Sequence, residues 1–176
     1  AEPITTEASR QQNFTNEGGA WYRFRYLKNI MGLWMIQSIR REPGKKYSFP
    51  ELSEMAQKST FAGKVDVNDN AFFAPESMLG AIRDYLGESE LSLGDALRCV
   101  YHSLAQSYAD TVKELESVTG KEIRRIRIVG GGCQNDYLNR LTAKALGKKV
   151  TAGPVEATAI GSLPSQMHLS KHAARA

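Results

Sequence analysis

The sequence predicts an α/β domain, and three patterns carry the prediction. A short β-branched run at 125–129 is followed by three glycines and by a helical pattern that ends at 146. A second short run, 149–152, comes directly after it, so strand, helix and strand alternate. Residues 92–119 carry an apolar stripe at three- and four-residue spacing, which is typical of an amphipathic helix. Together these patterns predict a sheet with helices packed against it.

Length and composition suit one globular domain. The chain has 176 residues, of which 41% are hydrophobic, and a net charge of +4; this supports a buried core and argues against a disordered chain. The basic group at 121–127 has no interleaved aromatic residue on which bases could stack, so we interpret it as a solvated face and expect no nucleic-acid partner. No apolar run reaches the length of a membrane span, and no membrane association is expected.

The cysteines and histidines indicate neither a disulfide framework nor a metal site. Two cysteines, Cys99 and Cys133, fit a reducing compartment, so a cytoplasmic location is expected. The three histidines lack zinc spacing, and the acidic run at 66–69 lacks the central glycine and closing glutamate of a calcium loop. We expect His102 to be a surface or packed residue rather than a catalytic one.

The N-terminal part predicts a hairpin and then a buried helix. Runs at 14–16 and 21–26 flank a turn-like Glu-Gly-Gly, and in the second run aromatic residues alternate with arginines, as in a half-buried strand. Residues 27–41 are apolar nearly all round, which predicts a helix buried on most sides. Asn29 and Gln37 lie a little over two turns apart on that helix, so they share a face. From the sequence alone, we interpret them as residues at the solvent-exposed edge of the helix rather than as two amides that face a ligand.

Capping and breaking residues mark the later helices. Ser48 and Glu51 form a capping box, Pro75 is expected to open the next helix, and Ser92 is expected to cap the long one. After the strand at 149–152, a small-residue helix is predicted at 156–163. Pro164 is expected to break it, which divides the chain into a domain at 1–163 and a loose basic tail at 164–176.

The three glycines, Gly130, Gly131 and Gly132, lie between a strand and a helix. Such a turn suits an anion or a nucleotide, because a helix N-terminus offers free N–H groups and a partial positive charge. The alternative, with equal support from the pattern, is that the glycines make a tight turn and have no other role. A Rossmann fingerprint fails, since Asn135 occupies the place of its last glycine and the next strand ends without an acid. No P-loop sequence is present either.

At this point the motifs show a resemblance to a known family. The stretch IVGGGCQNDYLNRLTAKALG, followed by VTAGPVEATAIG, resembles the adenosine-binding region of the FGGY carbohydrate kinases. The stretch FTNEGGAWYRFRYLKNIMGLWMIQ resembles their hairpin and first long helix. The resemblance implies most of the C-terminal lobe of a ribonuclease-H-like fold, shared with actin and the Hsp70 chaperones. In that fold a mixed sheet is flanked by helices and two lobes close on ATP.

The resemblance also implies which residues face the nucleotide. In the family the glycine turn supports the adenosine end of ATP, which carries onto Gly130–Gly132 with Asn135 beside them. Asn29 and Gln37 match family positions that face the nucleotide cleft, so the ligand-facing interpretation of both is now preferred.

The implied reaction is phosphoryl transfer from Mg-ATP to the 1-hydroxyl of L-rhamnulose. The family's N-terminal lobe, with most of the sugar site and the catalytic aspartate, has no counterpart in this sequence, nor has the turn that grips the phosphates. We therefore predict no catalytic residue here, expect Mg²⁺ to bind with the other lobe, and expect the chain alone to be inactive. The alternatives are a non-catalytic nucleotide-binding or protein-interaction module, and a degenerate remnant that folds poorly.

Overall fold

The computed structural model describes residues 2–19 and 22–173. Within these residues, seven α-helices and four short strands follow one another along the chain, and two single-turn 3₁₀ helices occur at Asn70–Phe72 and Gly131–Gln134. The elements are α1 (Glu7–Gln11), β1 (Thr15–Gly18), β2 (Phe24–Leu27), α2 (Trp34–Arg41), α3 (Phe49–Lys58), α4 (Met78–Leu86), α5 (Leu93–Thr119), β3 (Arg125–Ile128), α6 (Asp136–Leu146), β4 (Lys149–Ala152) and α7 (Ala157–Ala173).

The strands form two separate two-stranded sheets. β1 and β2 pair antiparallel as the predicted hairpin, with Thr15 opposite Leu27, whereas Trp21, the predicted start of the second strand, lies outside the described residues. β3 and β4 pair parallel, with Arg125 opposite Lys149, and α6 makes the crossover between them. The prediction of one mixed sheet is wrong for the described residues, because each strand pairs only with its neighbour along the chain.

Helix α5 is the centre of the core. It packs against α3 on one side and α6 on the other, and its inward residues, among them Leu97, Val100 and Leu104, are fully buried. A buried leucine or valine contributes about 1.5–3 kcal/mol relative to an exposed one. Cys99 is fully buried as well, which confirms that it packs as a small apolar residue.

The predicted caps are present at α3 and α5. Ser48 Oγ accepts from the Glu51 backbone N–H while the Glu51 carboxylate accepts from Ser48 N–H at 2.7 Å, which completes the capping box. Ser92 Oγ accepts from Asp95 N–H at 3.1 Å. The predicted start of α4 at Pro75 is wrong: the helix begins at Met78, because the Ser77 hydroxyl is the acceptor that satisfies its first turn.

The predicted helix over 27–41 is wrong in its first half. α2 begins only at Trp34, and the preceding segment is irregular, since the Met31 backbone N–H donates to Asn68 Oδ1 at 3.0 Å instead of to a helical carbonyl. Asn29 and Gln37 therefore do not lie on one helix, and the shared face inferred from their spacing does not exist.

The predicted break at Pro164 is also wrong. α7 runs from Ala157 to Ala173 with Pro164 inside it, although a proline has no N–H to donate to the carbonyl four residues earlier. The expected loose tail is thus helical as far as 173, and its last residues, 174–176, lie outside the described part. Among the described helices, none is both long and apolar enough to cross a membrane.

Candidate functional site

A cleft of about 1080 Å³ lies where the glycine turn meets three helices. One wall comes from the end of the irregular segment and α2, a second from α3, and the third from the glycine turn and the first turns of α6; Tyr108 of α5 lies at the base. Its lining residues are Gly32, Leu33, Gln37, Phe49, Pro50, Ser53, Gln57, Tyr108, Gly131, Gly132, Gln134, Asn135, Asp136, Tyr137 and Arg140.

The first of the three glycines shapes the turn. Gly130 has φ 77° and ψ −174°, a backbone region that is essentially restricted to glycine. Its N–H donates to the Pro154 carbonyl at 3.1 Å, and its carbonyl accepts from Cys133 N–H at 3.0 Å. Gly130 does not line the cleft, so its role in the structure is to turn the chain from β3 into the 3₁₀ helix.

The other two glycines border the cleft. A Cβ on Gly131 would meet no atom within 4 Å, so the backbone here is open to a ligand that approaches closely. A Cβ on Gly132 would meet Leu33 Cδ1 at 3.4 Å, an ordinary van der Waals contact. The two positions differ: Gly131 faces open space, and Gly132 lies against the chain before α2.

Asn135 links the glycine turn to the rest of the fold. It is the N-cap of α6, where its Oδ1 accepts from Leu138 N–H at 3.0 Å, and its Nδ2 donates to the Tyr101 hydroxyl oxygen at 3.0 Å. Both ends of the amide are therefore engaged inside the protein. Although Asn135 borders the cleft, its side chain positions the turn.

Gln37 and Asn29 end up in different places. Gln37 projects from α2 into the cleft, where it is exposed and its side chain makes no hydrogen bond to the described part of the chain. Asn29 is exposed in the irregular segment and does not line the cleft. The structure thus brings Gln37, Gly131, Gly132 and Asn135 around one cavity and leaves Gly130 and Asn29 outside it.

Several cleft residues were not singled out from the sequence. Arg140 of α6 donates to Gln57 Oε1 of α3 at 3.1 Å, so these two side chains bridge the cleft from wall to wall. Ser53 lies one turn before Gln57 on α3 and lines the same wall. Arg140 follows Tyr137 at helical i, i+3 spacing, which would have placed it on the same face of α6. Its pairing with Gln57 has no local sequence signal.

Comparison with known proteins assigns the family. The model of the FGGY family of carbohydrate kinases, C-terminal domain, matches residues 1–169. The chain belongs to this family. It is similar to rhamnulokinase of Halalkalibacterium halodurans, with 47% identity over 93% of this chain and 36% of the relative. It is similar also to rhamnulokinase of Bacillus subtilis, with 42% identity over 96% of this chain and 36% of the relative. The chain thus spans about a third of the length of these curated relatives.

Two tyrosines that line the cleft of this FGGY domain, and a histidine behind one of them, favour their neutral forms. Burial raises the pKa of the Tyr108 and Tyr137 hydroxyls, so both stay protonated at neutral pH and act as hydrogen-bonding phenols. His102 lies behind Tyr137, with Nε2 at 3.2 Å from the phenol oxygen. The pKa of His102 is lowered mainly by burial, and the nearby positive charges of Arg98, Lys64 and Lys144 lower it further. This is as expected for a packed histidine.

A second, smaller cavity lies along β3 of the FGGY domain. It has a volume of about 390 Å³ and a mainly apolar lining that includes Ile126, Arg127 and Ile128. Successive side chains of a strand point to opposite faces, so three consecutive lining residues place this cavity along the edge of β3 rather than on one face. β4 covers the other edge.

Proposed function

We propose that the cleft binds the adenosine part of ATP in an FGGY sugar kinase that converts L-rhamnulose into L-rhamnulose 1-phosphate. The observation that carries the proposal is the open backbone of Gly131, in the 3₁₀ helix that precedes α6, beside a cleft of about 1080 Å³. Relatives that match more than nine-tenths of the chain bear the name rhamnulokinase, which supports this sugar as the substrate of the complete enzyme.

The lining of the cleft suits a nucleoside. The open backbone beside Gly131 leaves room for a planar ring, and the exposed Gln37 amide offers a donor and an acceptor from α2. The cleft is at the upper end of the volumes usual for small-molecule sites. Amides and phenols outnumber the two charged residues of the lining, Asp136 and Arg140, which fits a base and ribose better than a triphosphate.

Transfer of the phosphoryl group requires more than this chain. Such reactions depend on positioning and on cations around the transferred group. Asp136 is the one carboxylate among the residues that line the cleft, and no group of three metal-binding side chains occurs within the described residues. These residues do not fit a Mg²⁺ site, so we propose that Mg²⁺, the catalytic base and the sugar are held by the polypeptide that corresponds to the rest of the relatives.

We also propose that the domain is one lobe of a ribonuclease-H-like kinase. The parallel β3–β4 pair with α6 as its crossover supports this classification, as does the apolar cavity along the uncovered edge of β3. A strand of the complete lobe would pair there and fill the cavity. We place the complete enzyme in the cytoplasm, where Cys99 and Cys133 of this chain would stay reduced.

Thermal unfolding of the purified chain with increasing ATP or ADP tests nucleotide binding. A ligand that binds only the folded state stabilises it by RT ln(1 + [L]/Kd), so the midpoint should rise with nucleotide concentration and not with inorganic phosphate. No rise at millimolar ATP or ADP would refute the adenosine site. L-rhamnulose phosphorylation should then be measured with the chain alone and with the missing N-terminal part of a relative added.

A non-catalytic nucleotide-binding module is the alternative, because the cleft offers Gly131 and the Gln37 amide to a nucleoside, whereas Asp136 is the one carboxylate that lines it. The two functions give different results in the second assay. Activity that appears only when the N-terminal part is added supports the kinase, whereas nucleotide binding without activity in either case supports the module.

A further inference from the structure

The buried hydroxyl of Tyr101 joins three elements at one oxygen atom. Tyr101 lies on α5 and is 0% exposed. Its oxygen is 3.0 Å from Asn135 Nδ2, at the end of the glycine turn, and 3.1 Å from Ser53 Oγ, on α3. Its ring is held edge-to-face against Tyr137, with centroids 5.2 Å apart. The hydroxyl therefore connects α5 to the two walls of the cleft that face each other.

The chemistry of the three groups fixes part of the hydrogen-bond direction. Asn135 Oδ1 must face the Leu138 N–H, because only the oxygen can accept. Asn135 Nδ2 can only donate, so the Tyr101 oxygen is the acceptor of that bond. The single phenol proton is then available to Ser53 Oγ. The orientation of the Asn135 amide is thus set twice, once by the helix cap and once by Tyr101.

Tyr101 itself does not line the cleft, whereas both of its partners do. A change at its hydroxyl can therefore reach a ligand only through Ser53 and Asn135. The effect would be on the separation of the two walls, because one wall carries Asn135 and Gly131 and the other carries Ser53 and Gln57.

We propose that Tyr101 is a positioning residue for nucleotide binding: its hydroxyl, together with the Arg140–Gln57 hydrogen bond, holds the glycine turn and α3 at one distance across the cleft. The proposal rests on the proposed adenosine site. Loss of the hydroxyl leaves Asn135 Nδ2 without its acceptor and Ser53 Oγ without a buried partner. Asn135 then keeps only its helix-cap bond and the two walls keep only the exposed Arg140–Gln57 bond, so the separation of the walls is held less tightly.

The test is Tyr101→Phe, with Tyr26→Phe as the matched control. The Tyr26 hydroxyl also bonds a serine, Ser9 Oγ, at 2.7 Å, but this bond joins α1 to the hairpin and is not at the cleft. Titrations of ADP into the ¹⁵N-labelled chain, followed by NMR, give the Kd. We expect Tyr101→Phe to raise the Kd about five- to tenfold and Tyr26→Phe to change it less than about twofold.

A second measurement separates positioning from a general loss of stability. In Ser53→Ala the side-chain amide signals of Asn135 should shift, although Ser53 and Asn135 share no hydrogen bond, because both bond the same phenol oxygen. Unchanged Asn135 signals would refute the proposal, and this measurement remains available if Tyr101→Phe fails to fold.

The outcomes distinguish the two proposals. If the unmodified chain shows no ADP-dependent shifts, the adenosine site is refuted, and the role of Tyr101 is refuted with it. If the unmodified chain binds ADP and Tyr101→Phe binds it equally well, only the role of Tyr101 is refuted. If Tyr26→Phe weakens ADP binding as much as Tyr101→Phe does, the effect is one of general stability, and the positioning role is again refuted.

Discussion

Gly131→Val tests whether this glycine is needed for folding of the turn or for ligand binding. A Cβ at Gly131 meets no atom within 4 Å, and the position needs no positive φ, so the folded chain accommodates the side chain. We expect the free energy of unfolding to change by about 0.5 kcal/mol or less. Because Gly131 borders the cleft, we expect the added side chain to occupy part of the cleft and to weaken ligand binding.

The size of that loss follows from the geometry. The valine methyl groups reach about 2.5 Å beyond the Cα position, whereas a planar ring packed on the glycine backbone would lie about 3.5–4 Å from it. The ring must therefore withdraw from the turn. If about 50 Å² of its face returns to water at about 25 cal/mol per Å², the cost is about 1.3 kcal/mol. The Kd for ADP should then rise about tenfold.

The assay is an NMR titration with ADP, accompanied by urea unfolding of each variant. Gly18→Val is the matched control, since a Cβ at Gly18 likewise meets nothing within 4 Å but lies in β1, away from the cleft. Equal ADP affinity in Gly131→Val and the unmodified chain would show that no ligand uses the open backbone, and the adenosine assignment would lose its main support.

Four further outcomes follow from the structure. Gly130→Ala should lower the free energy of unfolding by about 1–3 kcal/mol in urea titrations, because φ 77° and ψ −174° suit only glycine; a neutral result would contradict the strained turn. Asn135→Ala should cost about 1–2 kcal/mol in the same assay, since α6 loses its cap. The pKa of His102 is lowered in the folded state, so the unfolded state binds the proton more readily and stability should fall as pH drops below about 6.5; His102→Gln should weaken that dependence. Burial raises the pKa of Cys99 to about 11, so about one thiol in a thousand is ionised at pH 8, and a Cys133→Ser chain should react with a thiol reagent only after unfolding.

The local features can be predicted from the sequence, because each depends on residues that are neighbours along the chain. The Ser48 capping box, the Ser92 cap and the turns at Gly120 and Gly147 all involve groups within a few positions of one another. The hairpin and the parallel pair around α6 are predictable for the same reason. The strand–glycine–helix unit that contains the site is likewise evident in the order of residues alone.

The errors arise where distant parts of the chain compete with the local pattern. An apolar run such as 27–41 has no period that shows where a helix begins, and it is the side chain of Asn68 that takes the Met31 N–H out of the helix. The sequence pattern predicts Asn29 and Gln37 on one helix, but in the structure Asn29 lies in the irregular segment before α2 and outside the cleft. Pro164 is the opposite case, since the helix continues where the local rule predicts a break.

The sequence by itself determined the family, the class of fold and the identity of the glycine turn, because motif spacing and capping are properties of short segments. Only the tertiary structure decided how a site is made from them. Arg140 meets Gln57 across 83 positions, and Tyr101 joins Ser53 and Asn135 across 48 and 34. Such contacts arise because packing against α5 brings α3 and α6 to opposite sides of one cleft, which no short stretch of sequence encodes.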